Sequence, residues 1–155
     1  MKFRLLLLPL LLFALVGCDY EVPLTPTPTR GIEPKLLGDW IAADKDNGKE
    51  ESMHVRAWDE ANYAVAMDRD IYRAYHSDFA GQSFLSVQDL NSDRHTWCIY
   101  TWVLSADGNT LVLRHVDTKV VPEGLKTGTE LQQRIKDNLT NPKLLSAEIK
   151  FTRRK

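Results

Sequence analysis

The chain has 155 residues, 20 basic and 21 acidic, giving a net charge of −1 and 43% hydrophobic residues. That length suits a single domain, and the absence of a basic excess argues against nucleic-acid binding or electrostatic adhesion to anionic lipid. With only Cys18 and Cys98, a disulfide-rich scaffold is excluded and a packed core must supply the stability.

The N-terminus opens with Lys2 and Arg4, continues as an apolar run from Leu5 to Val16, and reaches Gly17 and Cys18. A positive start, a short apolar stretch and a small residue before a cut predict a secretory signal over residues 1–17. The run falls short of the about 20 apolar residues that a spanning helix needs, and Pro9 interrupts it. Leu15-Val16-Gly17-Cys18 resembles the lipobox of bacterial lipoproteins, which implies that Cys18 carries lipid and begins the mature chain. A thioether is not removed by reduction as a disulfide is, and two or more acyl chains anchor stably where one binds marginally. In lipoproteins of enteric bacteria, aspartate after the cysteine resembles an inner-membrane retention signal. Asp19 therefore points to the periplasmic face of the inner membrane, with the outer membrane as the alternative. In the lipidated chain, Cys98 would have no internal disulfide partner.

Residues 18–34 follow as a lipidated terminus and linker, with prolines at 23, 26, 28 and 34. Alternating Thr-Pro favours extended polyproline II conformations. At about 3.1 Å per residue, the expected passive spacer would hold a domain up to ~50 Å from the bilayer.

From residue 35 to 155 the dominant period is two, the signature of strands. "GDWIAAD" begins a strand; "ESMHVRAWDE" alternates Met53, Val55 and Ala57 against His54, Arg56 and Trp58; "NYAVAMD" aligns Tyr63, Val65 and Met67. "IYRAYHSDF", "QSFLSVQDL", "HTWCIYTWVLS" and "NTLVLRHVDTKVV" follow, separated by turn residues at Asn47-Gly48, Asn91-Ser92-Asp93 and Asp107-Gly108-Asn109. Short strands joined by short turns predict an antiparallel meander. Thr127-x-x-Glu130 reads as a capping box. Leu131, Ile135 and Leu139 then share one helical stripe, and Asn141-Pro142 stops the helix. The strand from Trp97 to Leu104 is apolar on both faces and is the expected seat of that helix. "SAEIKFTRR" supplies the last strand.

Gly38-Asp39-Trp40 resembles the first-strand motif of lipocalins, in which the tryptophan plugs the closed barrel end. With about seven strands before the helix and one after it, the expected fold is mainly β. It is an antiparallel meander closing into a small lipocalin-like barrel of about eight strands, or a half-barrel variant, with one C-terminal helix before the last strand.

Chemistry is sparse. His54, His76, His95 and His115 show no metal-ligand spacing, and His95 and Cys98 fall on opposite faces of a strand. His76 and Asp78 share a face as a candidate hydrogen-bonded pair. The run at 44–51, "DKDNGKEE", departs from the EF-hand pattern in its glycine and its last position and reads as a solvated loop. The sequon at Asn138 has no role in a bacterial lipoprotein. No catalytic residue, metal or cofactor is expected. Trp40, Tyr63, Met67, Phe84, Tyr100 and Trp102 could line a cavity for an apolar ligand or simply fill the barrel. The expected function is a membrane-anchored envelope module that meets a protein partner through strand edges or loops. The alternative is a lipocalin-like carrier of a lipid or other small apolar ligand. Neither is an enzyme.

Overall fold

In a computed structural model, the structure describes residues 19–43 and 48–155. The signal segment, Cys18 and the first half of the acidic run at 44–51 lie outside the described residues. After a 3-10 turn at Pro34–Leu36 come seven strands: β1 (Gly38–Ala43), β2 (Glu50–Ala57), β3 (Asn62–Met67), β4 (Asp70–His76), β5 (Phe84–Asp89), β6 (Trp97–Leu104) and β7 (Thr110–His115). Helix α1 (Gly128–Asp137) and strand β8 (Ile149–Arg153) complete the chain. Each strand pairs antiparallel with the next, and β8 returns to β1, so the sheet closes into an eight-stranded barrel. This is the lipocalin-like arrangement that the Gly-x-Trp resemblance implies. Closure removes the free strand edges, so of the strand edges or loops expected to meet a partner the loops are what the barrel leaves unpaired.

The period-two pattern decides what faces inward. Trp40 lies opposite Met53, Met53 opposite Met67, and Val55 opposite Val65, so alternate residues build one internal cluster with Tyr63, Ala74, Leu85, Tyr100, Leu111 and Phe151. Strand β7 is shorter than "NTLVLRHVDTKVV" suggests. It stops at His115; Val116 then bridges to Leu145, while Val116 and Val121 turn into a second cluster.

That second cluster lies outside the barrel. Tyr75, Phe84, Trp97 and Ile99 point outward from β4, β5 and β6 and gather with Leu131 and Ile135 of α1. The capping box forms: Thr127 Oγ1 accepts from the Glu130 N–H at 3.2 Å, and Glu130 Oε2 accepts from the Thr127 N–H at 3.1 Å. The helix thus lies over the doubly apolar β6, with Leu139 packed at its margin.

Residues 19–33 behave differently from the spacer expected of them. Tyr20 and Leu24 are fully buried members of the outer cluster, and Val22 packs beside them. Tyr20 exchanges both backbone hydrogen bonds with Trp97, at 3.0 and 2.8 Å, and its hydroxyl donates to the Val121 carbonyl at 2.7 Å. Farther along, Thr29 N–H donates to the His76 carbonyl and Ile32 N–H to the Glu60 carbonyl. The segment is a strap along the barrel wall. The physical reason is that β4, β5 and β6 expose apolar residues that α1 alone does not cover, and burial of Tyr20 and Leu24 outweighs the tendency of Thr-Pro to stay solvated.

Two core truncations check this account by urea denaturation. Trp40→Ala is expected to cost about 3–5 kcal/mol and Leu24→Ala about 2–5 kcal/mol, as for other large-to-small core changes. A solvated spacer would leave the Leu24→Ala midpoint where it was.

Candidate functional site

The Trp40 end of the barrel is shut by a set of donors from one arginine. Arg153 lies with its guanidinium carbon 4.2 Å from the centre of the Trp40 ring. Its Nε donates to the Gly108 carbonyl, Nη1 to Leu37 and Nη2 to Lys35, at 2.9, 2.8 and 2.6 Å. Trp40 Nε1 donates to the Leu36 carbonyl at 3.0 Å. Gly38 is required here: its φ is +134°, and a Cβ would sit 2.5 Å from Arg153 Nη1. The spacing of Gly-x-Trp therefore records the place of one guanidinium.

Above this floor the interior holds a cavity of about 160 Å³. Its wall is apolar: Met53, Val55, Val65, Met67, Val87 and Leu113 contribute from four strands. Leu36 and Tyr63 line it at the Trp40 end; Asp19, Tyr72, Asp89 and Thr96 line it at the other. Asp19 is also more than half exposed, so the cavity mouth lies at that end. Its carboxylate accepts from Thr96 Oγ1 at 3.0 Å, and its backbone N–H donates to Glu123 Oε1 at 3.2 Å. At the rim, burial pushes the Asp89 carboxyl up, but hydrogen bonds from Asn91 and Ser92 outweigh it and hold the group below the usual range. Burial, and then the charges of Asp70 and Asp89, push the Tyr72 hydroxyl up.

Of the six residues picked out for a cavity, the structure brings Tyr63, Met67 and Tyr100 to its wall. Trp40 packs beneath it under Arg153. Phe84 has the opposite parity to Leu85 and Val87 and faces the outer cluster. Trp102 shares the parity of Cys98 and Tyr100 but lies beyond the cavity, with His76 at 5.6 Å between ring centres and Arg30 at 5.7 Å from its own. Sequence reasoning passed over Asp19, Tyr72, Asp89 and Thr96 as rim residues. Tyr72 and Asp89 were findable, since each continues the inward parity of its strand.

Cys98 also lines the cavity and is disulfide-bonded. Cys18, the other cysteine of the chain, lies outside the described residues. A thioether on Cys18 and a disulfide from it are mutually exclusive states of one sulfur.

The histidines do not converge. His54 Nδ1 lies 2.8 Å from Asp39 Oδ1 on the outer surface, where His54 and then Arg56 hold the Asp39 carboxyl below its ordinary range. His95 sits in the turn before β6, not on a strand with Cys98, and has φ of +47°. The expected pair of His76 and Asp78 does not form. Instead His76 Nε2 lies 2.8 Å from the Tyr63 hydroxyl, and Asp78 accepts from Arg30 Nε at 2.8 Å. No group of three or more His, Cys, Asp or Glu able to hold a metal occurs among the described residues. The arrangement suits binding: an apolar chamber with a polar mouth and a floor fixed by hydrogen bonds.

His76 gives the closed end a pH dependence. It is fully buried, and burial, then the Arg30 charge, lower its pKa from 6.5 to about 4. Below the unfolded value the unfolded chain binds the proton first. Stability is therefore fully present above about pH 6.5 and declines as pH falls toward 4, by about 3 kcal/mol in total. His115, lowered by burial, acts in the same direction. In His76→Gln, the decline in urea midpoint between about pH 7 and pH 4.5 should flatten; an unchanged slope would assign it to other groups.

No family model, curated protein or solved structure matches the chain.

Proposed function

We propose that the protein is an envelope lipoprotein, anchored through lipid on Cys18, whose barrel is a binding module for a small apolar molecule and performs no catalysis. The observation that carries the binding reading is the cavity: about 160 Å³, apolar in its wall and polar at its mouth. An engineered apolar cavity of about 150 Å³ takes up benzene, whereas pockets for drug-sized ligands span about 300–1,000 Å³. The size favours one ring or a short chain over a whole lipid. A protein partner, the other form of the interaction reading, would meet the loops, since closure leaves it no strand edge.

The anchor reading rests on the run from Lys2 to Cys18 and describes the chain in which Cys18 is a thioether and so is not bonded to Cys98; Asp19 favours the periplasmic face of the inner membrane. Cys18→Ser should lose metabolic acyl label and leave the membrane fraction, and Asp19→Ser should shift lipidated protein toward the outer membrane in density gradients. An intact mass without acyl chains on the native protein would refute the anchor.

Binding is read by titrating benzene, toluene and indole into the folded Cys18→Ser protein. A bound probe should raise Tm as its concentration passes its Kd, with about 2.7 kcal/mol of stabilisation at 100 times Kd. Val65→Phe, which puts a ring into the cavity wall, should abolish the shift while the protein stays folded. A Tm indifferent to all three probes would leave the cavity as a packing void.

A further inference from the structure

Among the described residues the buried tyrosines are Tyr20, Tyr63, Tyr75 and Tyr100. Burying a tyrosine hydroxyl gives up its hydration unless a hydrogen bond replaces it, and in three of these one does. Tyr20 donates to the Val121 carbonyl and Tyr75 to the Thr25 carbonyl, while Tyr63 accepts from the Glu33 N–H and shares a bond with His76. Tyr100 is the exception. It is 8% exposed, yet no group among the described residues hydrogen-bonds to its hydroxyl. The side chain lines the cavity together with Tyr72, whose charge acts on that hydroxyl.

The place of Tyr100 does not depend on the N-terminus. On β6 it lies opposite Leu85 of β5 and His115 of β7, with its ring edge-on to His115 at 6.1 Å between centres. Burial, and then the Tyr72 charge, push its ionisation up, so the hydroxyl keeps its proton at neutral pH. It can therefore pair with one uncharged polar group. A hydrocarbon in the cavity leaves it facing carbon, whereas a molecule with its own hydroxyl pairs with it. The ordering holds against water as well: a ligand hydroxyl reproduces the bond a water makes, and a hydrocarbon gives it up. A carboxylate fares worse. Against its burial, bonds from Asn91 and Ser92 keep Asp89 ionised at the rim, and Asp70 lies near enough to act on Tyr72. An anion would meet like charge there.

We propose that the cavity selects small apolar molecules carrying one uncharged hydroxyl, as a phenol does, over hydrocarbons of similar size and over carboxylates, and that Tyr100 reads the hydroxyl. This deepens the binding reading and rests on it, but not on lipid at Cys18.

Benzene, phenol and benzoate are titrated calorimetrically at about pH 7 into the full chain with Cys98 in its disulfide, and into Tyr100→Phe, which keeps the ring. The ratio of the benzene Kd to the phenol Kd should fall about tenfold in the variant, since only phenol loses a partner. Comparing ratios cancels the different hydration of the two probes, and benzene binding shows that the variant is folded around an open cavity. Benzoate should bind the native chain at least about tenfold more weakly than phenol. In protein isotope-labelled at tyrosine Cζ, phenol should move the resonance that Tyr100→Phe removes, and benzene should move it less. An unchanged ratio would overturn the role of Tyr100, and benzoate binding as tightly as phenol would overturn the selection against charge. Benzene binding with an unchanged ratio rejects the selection alone. A native chain that takes none of the three probes rejects the binding reading, and the selection with it.

Discussion

The fold depends on how the first and last strands are held together. Among the described residues the β1–β8 ladder is the shortest in the barrel, with Trp40 facing Arg153 and Ile41 facing Thr152. Arg153 reinforces it in a way a longer ladder would not. Its planar fork sends donors to Lys35 and Leu37, before β1, and to Gly108, between β6 and β7, while its face rests on Trp40. One side chain thus ties three chain segments at the point where the sheet closes, and it combines cation–π attraction with hydrogen bonds in a fixed geometry. Lysine carries the charge but lacks that geometry. The glycine at 38 and the tryptophan at 40 are the complementary half of the same contact.

Closure divides the apolar residues into two populations. Those facing inward surround the cavity, and those facing outward from β4, β5 and β6 need another cover. The helix supplies part of it and the strap the rest; Gln132 Nε2 joins the two by donating to the Leu24 carbonyl at 2.8 Å. The wall between the two clusters is one sheet thick, so the residues that fix the strap and those that shape the cavity alternate along the same strands. Thr96 shows the coupling: its hydroxyl holds Asp19, and the next residue, Trp97, pairs with Tyr20.

Much of this was legible in the residues. Alternation marked the strands, Thr127 and Glu130 marked the helix start, and Asp107-Gly108-Asn109 marked the β6–β7 turn, where Asp107 accepts from Ser105 and Asn109. The strap was not read, because proline-rich composition reports local stiffness and says nothing of what the wall beside it needs. A signal was present: Tyr20, Val22 and Leu24 alternate as a strand would. The cavity was only half legible. Parity predicts that Tyr63, Met67 and Tyr100 face inward, but not how far along the axis Trp102 falls or that Phe84 starts β5 on the opposite face. The histidine pairing failed for a similar reason. His76 is the last residue of β4 and remains inside the barrel beside Tyr63, while Asp78 has left the strand and meets Arg30.

The strap also sets an order of events. Its partners are distant in sequence: Tyr20 and Val121 are 101 residues apart, and Leu24 and Gln132 are 108. Arg153 bonds to Lys35 across 118. Contacts of such separation form late, because each closes a long loop before it gains anything. A chain emerging N-terminus first therefore lacks the full set of partners for residues 19–33 until Val121 and α1 have appeared, and has no seam until β8 is free. Throughout that interval the N-terminal segment lacks its cover from α1 and its bond to Val121. Once the last strand docks, the same peptide is part of the wall, and the delay before it packs is set by the length of chain that separates it from its partners.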